Sequence, residues 1–203
     1  MLDNFYQFKR GDESMQKIII GLVVFLLLLA VLVFYKRSTN VEDYVNPTEN
    51  LKITSKAFEN GGRIPEKYTG RGEDISPPIK IHSIASKARS IAIIMDDIDH
   101  PIGVYNHWLI WNIPAEFNQI PEAIPKEVIV SSLGNAVQGK SAYGGKHYYR
   151  GPKPPFGTHK YVFKVYVLDS FLNIKNDAGK KELQEAMDGK ILQYGTLTGK
   201  FGS

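Results

Sequence analysis

The sequence predicts a mainly β protein: an antiparallel β-sandwich with one late helix, preceded by a single N-terminal transmembrane helix. Three observations carry that expectation. An uncharged apolar run fills residues 18–35, and strand-length runs rich in β-branched and aromatic residues recur through the remainder. The 18 glycines and 11 prolines are scattered between those runs without a period. Short apolar runs joined by many turns, with no alternation of strand and helix, argue against a βαβ fold and against a helix bundle.

Residues 18–35 read IIIGLVVFLLLLAVLVFY. As a helix they would rise roughly 27 Å, close to the hydrocarbon thickness of a bilayer. Lys17 precedes the run and Lys36 and Arg37 follow it, where long stems reach lipid headgroups. The run is longer than the apolar region of a signal peptide, and no small-x-small cleavage site follows it. A retained single-pass anchor is therefore expected, with residues 1–17 as a short polar head, 36–50 as a linker and 51–203 as the folded body. Basic residues are nearly balanced across the span, with Lys9, Arg10 and Lys17 before it and Lys36 and Arg37 after it. The short head favours an extracytoplasmic body.

Within the body, strands are expected at 51–54, 79–81, 90–96, 105–113, 128–130, 161–169 and 191–198. Residues 90–96 (SIAIIMD) are apolar at successive positions, as in a central strand buried on both faces. Residues 161–169 (YVFKVYVLD) are the clearest strand by composition. Gly61-Gly62, Pro77-Pro78 and the stretches 134–145 and 151–157 read as connections. One helix is expected over 179–188, with Leu183, Ala186 and Met187 on one face, Asn176 or Asp177 as its cap, and Gly189 ending it.

Composition excludes several chemistries. The chain has no cysteine, so disulfides, CxxC redox sites, thiol nucleophiles and thiolate metal sites are ruled out. The net charge of +4 is spread without a basic tract, which argues against nucleic-acid binding. No GxSxG elbow, HExxH pair or P-loop occurs, and the expectation is a binding module that is not an enzyme and needs no cofactor or metal.

Three polar clusters stand at strand ends: Asp96 to Pro101, His107 within Asn106-His107-Trp108, and Gly151 to Tyr161. Imidazoles, a phenol and free backbone N–H groups together make an anion-binding set. A nearby carboxylate would orient an imidazole and favour its cation. Anion affinity should then fall as pH rises through the histidine pKa values. A zinc or iron hydrolase built on Asp97, Asp99, His107 and His159 is an alternative, although their spacing matches no particular metal.

From Leu51 onward the body resembles the phosphatidylethanolamine-binding protein family, in its bacterial and archaeal Raf-kinase-inhibitor-like branch. The resemblance rests on Ile53-Thr54-Ser55-Lys56-Ala57-Phe58, Ile64-Pro65, Tyr68-Thr69 and Glu73-Asp74-Ile75-Ser76-Pro77-Pro78. Asp96–Pro101 is similar to the family's D-x-D-x-P signature, His107 to Ala115 to its H-W-x-x-x-N-I-P segment, and Gly151–Tyr161 to its G-P-x-P-P-x-G-x-H-[RK]-Y segment. Ile98 stands where a proline is more usual, His100 where a small residue is usual, and Lys190 where the closing G-H-x-L segment carries histidine. The resemblance implies a β-sandwich with a small pocket for phosphate-like groups, built from Asp97, Pro101, His107, Gly151, Pro154, His159 and Tyr161. It implies a phospholipid headgroup or a phosphorylated partner as ligand. Inhibition of a protease or kinase through protein contact is the alternative.

Overall fold

The computed structural model describes residues 15–32 and 49–203. Residues 1–14 of the expected head at 1–17, the end of the span at 33–35 and most of the linker, 36–48, lie outside the described residues. The chain divides into two units, Met1–Ser38 and Thr39–Ser203. In the first, α1 (Met15–Leu32) is an 18-residue helix of mean hydropathy 2.6, exposed along its whole length. By length and composition it can cross a membrane, and a signal sequence meets the same criteria.

Among the described residues, the second unit holds two antiparallel sheets and one α-helix. The small sheet joins β1 (Ile53–Thr54), β2 (Ile79–Ile81) and β5 (Gln119–Ile120) in the order β1-β2-β5. The large sheet contains β3 (Ser90–Asp97), β4 (Tyr105–Pro114), β6 (Ile129–Val130), β7 (Ala136–Gln138), β8 (Thr158–Leu168) and β9 (Ile191–Gly202), in the order β6-β7-β4-β3-β8-β9. The helix α2 (Lys180–Met187) precedes β9.

β3 lies between β4 and β8, and all eight of its residues are buried. Successive side chains of a strand point to opposite faces, so full burial requires cover on both. Ile91, Ile93 and Met95 join Trp108, Ile110, Phe163 and Val165 in a cluster that also holds Ile53, Ile79, Ile81 and Ile120 of the small sheet. Ala92 and Ile94 join Leu109, Trp111, Tyr166 and Leu168 in a second cluster with Leu183 and Met187 of α2. The continuous apolar run expected for a central strand has this double cover as its cause.

The helix buries Lys180, Leu183, Gln184 and Met187, the i, i+3, i+4, i+7 stripe of one face. Its N-terminal cap differs from expectation: neither Asn176 nor Asp177 provides it. Gly179 occupies the cap, and its N–H donates to Glu182 Oε2 at 3.1 Å, so the first-turn carboxylate reaches back to satisfy it. Gly189 follows at φ 70°, the left-handed position that ends a helix most cheaply with glycine.

The sheets contain nine strands where seven were expected. β5 and β7 were missed because each is only two or three residues long and takes its pairing from distant strands. β7 lies inside the stretch expected to be a connection. It follows two left-handed residues, Gly134 and Asn135, and is held by Ile110↔Gln138 and Trp111↔Val137 pairing with β4. β8 begins three residues early, at Thr158, and β9 runs on to Gly202, because the two pair along almost their whole lengths.

At its end β3 carries a buried carboxylate on the helix-covered face. Asp96 Oδ2 accepts hydrogen bonds from Lys164 Nζ and Lys180 Nζ, both at 2.8 Å, and Oδ1 accepts one from Asn106 Nδ2 at 3.1 Å. Burial pushes the Asp96 pKa up, but Lys180 and then Lys164 outweigh it and hold the carboxyl below its usual range. One anion thereby ties β3, β8 and α2 together. Asp96→Asn leaves two ammonium groups sharing no carboxylate, and losing one partner of a buried ion pair costs about 3–5 kcal/mol. The expected result is a lower urea midpoint, read from the emission of the buried Trp108 and Trp111.

Candidate functional site

On the opposite face, at the same end of the large sheet, a cavity of about 250 Å³ is lined by Asp97, His100, Tyr105, His107, Tyr143, Lys153, Pro154, Pro155, His159 and Tyr161. Strand geometry delivers most of these. Asp97 is the residue after Asp96 and so points to the other face. His159 and Tyr161 share that face two residues apart on β8, and Asp97 pairs directly with Tyr161. His107 arrives by an irregularity. Met95 pairs with Trp108, but Asp96 pairs with Asn106, so β4 holds one extra residue there. This β-bulge turns Asn106 toward Asp96 and leaves His107 on the same side as Trp108 and the cavity.

Hydrogen bonds assign the imidazoles. His159 Nδ1 lies 2.7 Å from Asp97 Oδ2, and a carboxylate only accepts, so Nδ1 carries the proton. His107 Nδ1 lies 2.8 Å from the Arg150 carbonyl, which fixes its tautomer in the same way. In both rings Nε2 is the nitrogen left to address a ligand. Asp97 Oδ1 accepts from the Asp99 N–H at 3.0 Å, and Asp99 Oδ2 accepts from the Lys160 N–H at 2.9 Å, which locks the turn after β3 onto β8.

A second layer holds the Gly/Pro segment. Asp74 accepts from the Gly151 N–H at 2.6 Å and pairs with Arg150 Nη1 at 2.9 Å. It thus positions the carbonyl that orients His107. A Cβ on Gly151 would stand 2.4 Å from the Tyr68 carbonyl oxygen, so only glycine permits this close approach. Arg71 Nη2 donates to the Pro154 carbonyl at 3.0 Å. Aromatic rings fill the wall: His107 meets Tyr161 edge-on with centroids 5.3 Å apart, and His100 stacks on Tyr105 at 4.5 Å.

Of the seven residues expected at the pocket, Asp97, His107, Pro154, His159 and Tyr161 line the cavity. Pro101 does not, and is exposed on the turn after His100. Gly151 also stays outside the lining and acts behind it through Asp74. His100, noted for its departure from the family pattern, is in the wall. Lys153 and Pro155 belonged to a segment already singled out. Tyr105 and Tyr143 were missed: Tyr105 is two residues before His107, but Tyr143 sits in a loop with no distinguishing pattern. Among the described residues, no three His, Asp or Glu side chains form a set able to hold a metal ion.

The electrostatics differ from the sequence expectation. Burial pushes the His107 pKa below the usual 6.5, against the Arg150 carbonyl and the charges of Asp97 and Asp96. Burial also lowers His100, opposed by Asp97 and reinforced by His159. At His107 the desolvation cost therefore exceeds the carboxylate's pull, the reverse of the balance expected from sequence. Burial, and then the charge of Asp97, raise Tyr161 well above the phenol range, so its hydroxyl keeps its proton as a donor. Because His107 and His100 hold fewer protons folded than unfolded, stability is full above about pH 6.5 and falls as pH drops below it. NMR should place the His107 titration below 6.5. Asp97→Asn should lower it further, and His107→Gln should flatten the acid loss of stability.

The geometry agrees with what this chain is similar to. Residues 54–202 match the family described as phosphatidylethanolamine-binding protein. A UPF0098 protein of Pyrococcus horikoshii is 46% identical over 154 residues, covering 75% of this chain and 76% of the relative. One from Pyrococcus abyssi is 44% identical over 155 residues, covering 75% and 86%. A crystal structure of a putative phosphatidylethanolamine-binding protein homolog from Chlamydia trachomatis superposes with a TM-score of 0.68 at 31% identity, covering 77% of this chain and 99% of that one. Escherichia coli YbcL, described as a new member of the mammalian family, superposes with a TM-score of 0.69 at 22% identity, covering 75% and 98%. That last likeness speaks for the fold alone. With a family match across the whole body and relatives this similar, the chain belongs to the phosphatidylethanolamine-binding protein family.

Proposed function

We propose that this protein is a membrane-anchored binding module whose pocket takes a phosphate-bearing group, a phospholipid headgroup or a phosphorylated partner, without turning it over. One observation carries the reading: both imidazoles commit Nδ1 to fixed acceptors, leaving two Nε2 atoms in one small cavity with Lys153 and the Tyr161 phenol, itself hydrogen-bonded to Asp97. The family's name, phosphatidylethanolamine-binding, supports a headgroup. The body is read as a β-sandwich because the small sheet and one face of the large sheet share a single apolar cluster. Single-pass anchoring is supported by the length and hydropathy of α1, in which Lys17 is the only charged residue.

A phosphate can be held in two ways here. A neutral Nε2 accepts a hydrogen bond from a protonated phosphate oxygen, and a charged imidazole donates to a bare one. Because burial favours the neutral form of His107, donation by that ring requires proton uptake on binding. Sulfate, whose charge is constant, should therefore bind more tightly as pH falls through and below 6.5. A sulfate affinity flat across that range would mean that the imidazoles do not act as cations.

Inorganic phosphate titrated into the protein should shift the NMR signals of His107, His159 and Tyr161. A charge-assisted hydrogen bond contributes roughly 1.5–3 kcal/mol, so His159→Gln should weaken phosphate about tenfold or more. Absence of localised shifts would overturn the pocket reading. For the anchor, the intact chain should stay in the membrane pellet after alkaline carbonate extraction. Its recovery in the supernatant would overturn the anchoring.

A further inference from the structure

Two arginines share one aromatic ring beside the pocket. The Arg63 guanidinium carbon stands 5.2 Å from the centroid of the Phe201 ring, and that of Arg71 stands 5.5 Å from it. Phe201 is itself a neighbour of the pocket wall. It pairs directly with His159 across β8 and β9, so both side chains leave the sheet on the same face, within contact range. Both arginines are also tied to backbone. Arg63 Nη1 donates to the Gly202 carbonyl at 3.1 Å, and Arg71 Nη2 donates to the carbonyl of Pro154, a pocket residue, at 3.0 Å. The residue before Arg71 is pinned to the same segment: the Gly70 N–H donates to the Pro152 carbonyl at 2.9 Å, and a Cβ on Gly70 would stand 3.1 Å from Lys153 Cβ. Lys153, Arg71 and Arg63 therefore form a connected series that begins in the cavity wall.

Covering a phenyl ring does not require two charges. Like charges drawn to one ring repel each other, and among the described residues no carboxylate pairs with either guanidinium. Each guanidinium spends one hydrogen bond on a carbonyl, which leaves the rest of its planar fork of donors for an anion. The pair is also within electrostatic reach of the pocket. The Arg71 charge acts on the Tyr161 phenol, where it opposes the upward push of burial and of Asp97.

We infer that Arg63 and Arg71 form a second anion subsite beside the pocket, and that the ligand carries two phosphate groups, one among the imidazoles and one on the arginine pair. The inference rests on the phosphate reading of the pocket and narrows its ligand class. A single phosphate held by His107 and His159 leaves the arginine charges unmet, whereas a second phosphate on the same molecule meets both and accepts from both forks. Arginine suits this role because its planar donors match phosphate oxygens two at a time. The Phe201 ring and the two carbonyls hold the guanidinium groups in place before the ligand arrives, so little side-chain freedom is lost on binding.

The test compares inorganic phosphate with pyrophosphate and tripolyphosphate, titrated into full-length protein in a neutral detergent and followed by calorimetry and NMR. One charge-assisted hydrogen bond to a second phosphate is worth about tenfold in affinity, so at least one of the longer probes should bind that much tighter than phosphate. It should shift the Phe201 ring signals together with those of His107 and His159. Arg63→Gln should abolish the gain and leave the affinity for phosphate unchanged. Arg71→Gln should abolish it too, but that change also releases the Pro154 carbonyl, so Arg63→Gln decides. Lys181→Gln, an exposed position on α2, removes the same charge elsewhere and should keep the gain. Equal affinity for all three probes would overturn the second subsite, as would a gain that survives Arg63→Gln or falls equally with Lys181→Gln. Phosphate shifts at His107 and His159 without a gain would keep the pocket and remove the arginine subsite. Shifts confined to Phe201 would remove the pocket reading and, with it, a ligand that spans both.

Discussion

Asp96 and Asp97 end a strand that is buried on both faces, and the way each carboxylate is satisfied organises the rest of the body. A strand sends neighbouring side chains to opposite sides, so two adjacent acids cannot share one set of partners. Asp96 goes to the side covered by α2, where two ammonium groups and an amide surround it. Asp97 goes to the side of the main core, where it orients His159 and fixes the turn carrying Asp99. The first acid holds the helix on the sheet, and the second builds the pocket. Neither could be left unpaired, because an isolated buried carboxylate costs several kcal/mol.

The pocket is polar in its atoms, yet His107 and His159 are buried, and that combination sets its chemistry. Asp97 draws protons toward the nearby imidazoles, while burial beside Tyr161 and Tyr143 drives them off, and at His107 burial is the larger effect. The orientation of that ring is nonetheless fixed, because the Arg150 carbonyl can only accept. Arg150 is in turn set by Asp74, which also holds the Gly151 N–H. A residue outside the cavity thus determines which nitrogen the cavity presents.

Much of this was legible in the chain. The double-faced strand showed as an unbroken apolar run, α2 showed as a stripe ending at a glycine, and the clusters around Asp97, His107 and His159 showed as polar residues at strand ends. Three segments resembling a known family brought five of the seven expected residues to the cavity, three of them from the Gly/Pro segment. Pro101 lies outside the cavity because a residue in a signature need not face it; this one is exposed in a turn. Tyr143 had no local signal because its loop reaches the site through space alone. β5 and β7 had none either, since strands of two or three residues draw their stability from partners far along the chain.

What the sequence determined by itself was therefore periodic or compositional: an apolar span, a β-rich body, the absence of thiol chemistry, and the residue types that gather at the pocket. The tertiary structure decided sidedness and environment. One extra residue in β4 moves His107 to the cavity face and Asn106 to Asp96, a change that no alternating pattern reveals. The depth of cover over His107 reverses the charge balance expected from its neighbours. Both results have the same physical reason. Which face a side chain takes, and how much water it keeps, depends on strand register and on residues distant in sequence, and these are settled only when the sheets close.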